Sequence, residues 1–141
     1  MKRIIVGVDG SPESTLAVKK AVELGKPFNA EIILIHVVNV NLIDILSKSM
    51  GENIQKIKAQ LHVEGKKVLE HDKKIVESAG LPVKTIITDG VPCIDIIKKA
   101  KEENADLIIL GSTGVHKAKG MLGSTAERCV RFSDISVLIV K

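Results

Sequence analysis

The sequence predicts a single α/β domain, residues 1–141, on a doubly wound parallel sheet, and three observations carry that reading. Five short apolar runs recur along the 141 residues. Most are continuously apolar rather than alternating, the pattern of strands covered on both faces. Stretches of helical period lie between consecutive runs, so strand and helix alternate along the chain.

The first run is RIIVGV (3–8). PESTLAVKKAVELGK (12–26) follows as a helix, with Ser11 as N-cap ahead of Pro12 in the first turn. Its apolar stripe is Leu16, Val18, Ala21, Val22 and Leu24. EIILIHVV (31–38) is the second strand. The next connection, 39–80, is the longest, and one unbroken helix of that length would be unusual. Gly51 and Gly65 punctuate it. It therefore reads as a mobile or irregular portion to about Gly51, then a helix over about 52–79 closed by Gly80 and Pro82. Ile54, Ile57, Leu61, Val68, Leu69, Ile75 and Val76 would form that helix's buried face. VKTIIT (83–88), a helix over 92–103, DLIILG (106–111), a helix over 124–132 and SVLIVK (136–141) complete the series.

Composition narrows the function. Hydrophobic residues make up 45%, with no Trp or Tyr and two Phe, so the core is aliphatic. The net charge of +4 is a mild excess, and acids and bases interleave along the helical stretches. Without aromatics to stack bases, nucleic acid is not an expected partner. Cys93 and Cys129 have no CxxC and no metal-ligand spacing to His, and read as half-buried thiols in a reducing compartment. MKRIIVGVDG turns polar too soon for a signal peptide. No apolar stretch approaches the ~18 residues of a membrane helix. A soluble, cytoplasmic protein with no membrane partner is the expectation.

Ligands of open α/β sheets collect beyond the carboxyl ends of the strands, and two of those ends carry unusual residues. VGVDGSPES places Asp9 at the tip of the first strand, with Gly10 and Ser11 before a helix. LIILGSTGVHKAKGMLGSTAERCV (107–130) breaks an apolar run into glycines, hydroxyls and lysines. Gly111 and Gly114 let backbone amides approach a bulky anion, and Ser112 and Thr113 add hydroxyl donors. Gly123, Ser124 and Thr125 open a helix, where an anion is favoured. Lys117 and Lys119 lie between as candidate polyphosphate partners. Each amide–phosphate bond contributes ~1.5–3 kcal/mol, so several support micromolar binding, about −8 kcal/mol. The plainer alternative is a turn followed by an ordinary Ser/Thr cap. Neither GxxxxGK[ST] nor GxGxxG is present.

Other polar residues carry less. Asp9 as a phospho-acceptor would need an acidic pair that RIIVGV does not supply. His116 has no nucleophile or carboxylate near it in sequence to make it a general base. His36, inside an apolar strand, reads as a satisfied core or pocket-edge residue. His62 and His71 are out of phase for a metal pair. Asp89 and Asp95 flank the GVPC turn, where capping of the 92–103 helix is the expected task.

The spacing Gly111-x-x-Gly114, a loop, then Gly123-Ser124, between an apolar strand and a helix, resembles the universal stress proteins. So do IIVGVDGSPES, IILIHVV and ITDGVPCIDII, and the likeness spans essentially the whole chain. It implies a five-stranded parallel sheet ordered 3-2-1-4-5, with its switch point between strands one and four. In the ATP-binding branch the motif is Gly, two residues, Gly, nine residues, Gly, then Ser or Thr. Carried over by position, Asp9 meets the ribose hydroxyls, flanked by Gly7 and Val8. Val37 contacts adenine and Leu110 lines the pocket. Gly111, Gly114, Gly123, Ser124 and Thr125 hold ribose and phosphates. One departure stands out: eight residues, VHKAKGML, separate Gly114 from Gly123. The implied function is an ATP-binding, nucleotide-responsive stress regulator, with Mg²⁺ as counter-ion and without fast turnover. The alternatives are a dimeric interaction module that has lost ATP, or a slow ATPase. If SVLIVK is an edge strand, the resemblance further implies a homodimer paired antiparallel along it.

Overall fold

The computed structural model describes residues 1–113 and 120–141. In chain order the elements are β1 (Arg3–Gly7), α1 (Pro12–Gly25), β2 (Glu31–Asn39), α2 (Val40–Met50), α3 (Ile54–Ser78), β3 (Val83–Gly90), α4 (Pro92–Glu102), β4 (Leu107–Gly111), α5 (Ser124–Phe132) and β5 (Val137–Val140). The five strands form one sheet in the order β3-β2-β1-β4-β5, and every neighbouring pair is parallel. The expected architecture and strand order are both observed.

The continuous apolar runs have a direct cause. Ile4, Ile5 and Val6 of β1, Ile32 to Ile35 of β2, and Ile108 and Ile109 of β4 are all essentially inaccessible. Successive side chains on a strand point to opposite faces, so both faces must be covered. One face packs Ile4, Val6 and Ile32 against Ala17, Val18 and Ala21 of α1 and Leu69 and Val76 of α3. The other packs Ile5, Ile33 and Ile108 against Cys93, Ile96 and Ala100 of α4 and Cys129 of α5. Each fully buried Ile or Val contributes ~1.5–3 kcal/mol relative to exposure.

Ser11 caps α1 as expected, its hydroxyl accepting from Ser14 N at 3.2 Å. The stripe of α1 is observed at Val18 and Ala21, which are buried, and at Val22 and Leu24, which pack against the core; Leu16 alone is exposed, and Ala17 is buried in its place. Residues 40–50 correct the sequence reading more seriously. They are not irregular but form α2, capped by the Asn39 side chain, which accepts from Asn41 N at 3.0 Å, and ended by Gly51 with φ 64°. Its anchor is Ile43, clustered with Val38 and Ile57. Ile43 and Leu46 share the face on that cluster, whereas Val40, Leu42 and Ile45 are exposed, and so short a seam ahead of Gly51 does not read as a helix.

Helix α3 starts two residues later than expected, at Ile54, capped by Asn53, whose side chain accepts from Gln55 N at 2.7 Å. Ile54 is therefore outside the buried face, which runs through Ile57, Leu69 and Val76. Gly65 does not interrupt this helix. It is buried in the middle of it, where a Cβ would stand 2.5 Å from His36 Cδ2 and 2.9 Å from its Nε2. Among the described residues, no helix is long and apolar enough to cross a membrane.

Gly65 generates a test. Alanine is favoured over glycine in a helix by about 1 kcal/mol, but a methyl forced against the His36 ring costs about 1–3 kcal/mol. Gly65→Ala should lower stability in urea unfolding, whereas in a His36→Ala background, where the bond to Val8 O is already lost, the same change should raise it. A Gly65→Ala protein more stable than the parent would contradict this packing.

Candidate functional site

At the carboxyl ends of β1 and β4 the chain departs to opposite faces, β1 into α1 and β4 towards α5. A cleft of about 530 Å³ opens there, within the range of small-molecule sites. Gly7, Val8 and Asp9 line it from β1 and the turn that follows, Val37 from β2, and Leu110 and Gly111 from β4. Gly123, Ser124 and Thr125 line it from the start of α5. Nine of the ten residues expected at the site thus share one cavity. The tenth, Gly114, lies outside the described residues, as do His116, Lys117 and Lys119.

Local bonding fixes this geometry. Both backbone groups of Val8 are held by β2: its N–H donates to Ile35 O at 2.9 Å, and its carbonyl accepts from His36 Nδ1 at 2.8 Å. His36 is the pocket-edge residue expected, and its Nδ1–H is committed to the β1 exit. The next turn is closed by Asp9, whose Oδ1 accepts from Ser11 N at 2.9 Å. Gly7 and Gly111 allow the strand ends to approach their neighbours. A Cβ on Gly7 would stand 2.7 Å from Leu110 Cδ2, and one on Gly111 would stand 2.8 Å from the backbone carbon of Glu13.

The entry to α5 is tied down in the same way. Ser112 N donates to Val140 O at 2.8 Å, and Gly123 N donates to Ser112 O at 2.7 Å. The first bond along the helix runs from Glu127 N to Gly123 O at 2.9 Å. The amides of Ser124, Thr125 and Ala126 precede that bond, and no side chain among the described residues caps them. All three residues line the cleft. A helix N-terminus with open donors and the positive end of its dipole is an anion site.

The far wall escaped the sequence reading. Leu61, Glu64 and Val68 of α3 line the cleft at helical spacing, joined by Asn39 and Leu42 at the start of α2. Pro92 and Ile96 of α4 also contribute. Periodicity marked the α3 residues as one face of a helix. Nothing marked that face as the roof of a cleft while residues 40–50 read as irregular.

Other expectations resolve as follows. Neither Asp89 nor Asp95 caps α4, whose cap residue Val91 offers no side-chain bond. Asp95 accepts from Thr88 Oγ1 at 2.8 Å. Asp89 ties β3 to α3 through Lys58 Nζ at 3.0 Å and His62 Nε2 at 2.5 Å. Partial burial pushes its carboxyl upward, but those two partners outweigh it and hold the pKa below the ordinary value. No group of three His, Cys, Asp or Glu converges as a metal site among the described residues. Cys93 and Cys129 are buried rather than half-buried. Burial and the neighbouring Cys93 push the Cys129 thiol up to about 12, so it is inert as a nucleophile.

The profile of the Universal stress protein family matches residues 1–141. Universal stress protein MJ0531 of Methanocaldococcus jannaschii is 35% identical over 142 residues, 99% of this chain and 82% of that protein. Universal stress protein MJ0577 of the same organism is 36% identical over 154 residues, 99% and 94% of the two chains. The solved MJ0577 structure matches with TM-score 0.88 at 33% identity, covering 99% of this chain and 95% of that one. A universal stress protein solved in complex with cAMP matches with TM-score 0.71 at 25% identity, covering 99% and 95%.

One buried acid bears on the cleft electrostatically. The Asp72 side chain on α3 is 2% exposed. Its Oδ1 accepts from His71 Nδ1 at 3.0 Å, and Oδ2 has no partner among the described residues. Burial raises its pKa, the His71 bond and charge oppose this, and the charge of Asp9 adds to the rise. The folded state therefore holds the proton more tightly than the unfolded chain. Ionised Asp72 costs stability at neutral pH, and the cost fades as pH falls towards the ordinary value of 3.8. Asp72→Asn should raise the melting temperature at neutral pH, with the gain shrinking towards about pH 4. A gain independent of pH, or a loss at neutral pH, would contradict this account.

Proposed function

The chain belongs to the universal stress protein family, and from that premise we propose that its cleft binds ATP and that the protein is a cytoplasmic, nucleotide-responsive stress regulator. The observation that carries this is the first turn of α5: three amides without a side-chain cap among the described residues, in a cleft whose other walls are largely apolar. In this reading Val37 contacts adenine, with Leu110 and Val8 beside it. Asp9, flanked by Gly7, meets the ribose hydroxyls, and Gly111, Gly114, Gly123, Ser124 and Thr125 hold ribose and phosphates. The relative solved with cAMP supports an adenine nucleotide as the ligand class. The donor set suits phosphate oxygens rather than a metal, so Mg²⁺ would enter as the counter-ion of the triphosphate.

The proposed output is linkage rather than turnover. A ligand bound only by the folded state stabilises it by RT ln(1 + [L]/Kd), about 2.7 kcal/mol at a hundredfold excess over Kd. Occupancy would also select among arrangements of the cleft walls and so alter the surface offered to partners. The eight residues between Gly114 and Gly123 favour a second reading, an interaction module that no longer takes ATP.

The proposal includes a homodimer. β5 pairs with β4 along one side and stands at the sheet edge, where free backbone groups and the half-buried Val137 to Val140 suit antiparallel pairing with a second copy.

Two measurements test this. Calorimetric titration with Mg-ATP should give a micromolar Kd, weakened about tenfold or more in Ser124→Pro, which removes one open amide at the first helical position, where proline is otherwise tolerated, since each bond to a charged phosphate is worth ~1.5–3 kcal/mol. No heat from the parent, and no nucleotide released when the purified protein is denatured, would put the interaction module first. Light scattering at micromolar concentration should give twice the 15.2 kDa chain mass, and a monomer alone would remove the dimer.

A further inference from the structure

A second cavity lies between α4 and α5, away from the strand ends, and encloses about 610 Å³. Its α4 wall is Ile94, Ile97, Lys98 and Lys101, and its α5 wall includes Arg128 and Phe132. The α4 positions follow i, i+3, i+4, i+7, one face of the helix. Arg128 and Phe132 are i, i+4 on α5. Each wall therefore presents apolar side chains with cations beside them.

Two properties separate this groove from ordinary surface. Scattered exposed apolar residues need no explanation, but Ile94 and Phe132 are 59% and 64% exposed and line the same groove. Phe132 is one of only two aromatic residues in the chain. The charge is also unbalanced. Lys101 meets Asp134 at 3.2 Å in an exposed pair, a type worth little. Among the described residues, Lys98 and Arg128 have no ion pair. The acids nearby are engaged elsewhere, Glu102 with Lys99 at 2.9 Å and Glu127 with Arg131 at 2.6 Å.

An occupant must bring apolar side chains and negative charge together, in a shape that enters a trough between two helices. A flat bilayer cannot follow a concave trough, whereas a helix, about 10 Å across, can. The α4 stripe from Ile94 to Lys101 spans a rise of roughly 10 Å at ~1.5 Å per residue, or two turns of a facing helix. We infer that the α4/α5 groove docks a short acidic amphipathic helix from a partner protein. Apolar residues at i, i+3 or i+4, and i+7 would seat on Ile94, Ile97 and Phe132. Flanking Asp or Glu would meet Lys98, Lys101 and Arg128. This goes beyond the nucleotide reading and stands without it, since none of the six residues lines the cleft.

The test uses the full chain and a labelled peptide of about four helical turns, with Leu at heptad-like spacing and Glu on the flanks, and a Lys-flanked counterpart as control. Fluorescence anisotropy should show the Glu peptide binding in the tens-of-micromolar range, roughly −6 kcal/mol. The Lys peptide should bind about tenfold or more weakly, and high salt should weaken the Glu peptide. Lys98→Glu/Arg128→Glu should reduce binding at least about tenfold, and so should Ile94→Ser. These changes are at exposed positions, so circular dichroism melting should be nearly unchanged. No binding, equal binding of the two peptides, or indifference to the substitutions would overturn the inference. So would retention on phosphatidylglycerol vesicles that the charge-reversed variant loses, which would assign the patch to a membrane. A fall to monomer mass in that variant would assign it to a second copy, with the same consequence.

Discussion

The structure depends on how closely two strand ends approach the elements around them. β1 and β4 are neighbours in the sheet, yet the chain leaves them for opposite faces, and a cleft must open where the crossovers part. Its depth is set by the absence of two side chains. With a Cβ on Gly7, Leu110 and Ile96 would be pushed from the floor; with one on Gly111, β4 would be pushed from the backbone of α1. The other fixtures elaborate this contact. His36 holds the Val8 carbonyl beside Gly7, and Ser112 joins the β4 exit to both β5 and the head of α5.

Helix caps divide along the same line. The first three helices begin with a side chain that satisfies an orphan amide: Ser11, Asn39 and Asn53. Such a cap contributes about 1 kcal/mol. Among the described residues α4 and α5 lack one, and of these α5 begins at Gly123 with its first amides in the cleft. A single bond from those amides to a charged oxygen contributes ~1.5–3 kcal/mol, more than the missing cap. The helix left without a side-chain cap where the strand ends part is therefore the one that gains most from an anionic ligand.

These relations were unequally legible in the sequence. The strands could be read because burial on both faces writes itself as unbroken runs such as IILI. The floor of the cleft could be read because glycines and an acid at strand tips are costly unless used. The roof could not. Residues 40–50 form a helix that fully buries only Ile43, with Leu46 packed beside it, a seam too short to stand out ahead of Gly51. Gly65 lies within the helix the sequence predicts, but its purpose could not be read there, because a glycine in a helical pattern looks like a weak point unless the partner it accommodates is known. That partner, His36, lies 29 residues earlier on another element. The ties from Asp89 to Lys58 and His62 are likewise set by packing between α3 and β3, not by the turn that follows Asp89.

The two cavities share their helices, which constrains how they can communicate. Pro92 and Ile96 of α4 face the cleft while Ile94 and Ile97 face the groove. On α5, nine residues long, the first turn faces the cleft and Arg128 and Phe132 face the groove. A helix this short moves as a unit, so displacing its head displaces the groove wall one turn further along. Coupling requires that a ligand prefer one position of α5 over another, and any factor by which nucleotide changes groove affinity must be returned equally to the nucleotide. The bonds from Ser112 to Val140 and from Gly123 to Ser112 decide whether such positions exist. If they hold α5 rigid, the groove reads only its own partner. If they yield when anionic oxygens take the amides, the surface a partner meets becomes a function of what the cleft contains.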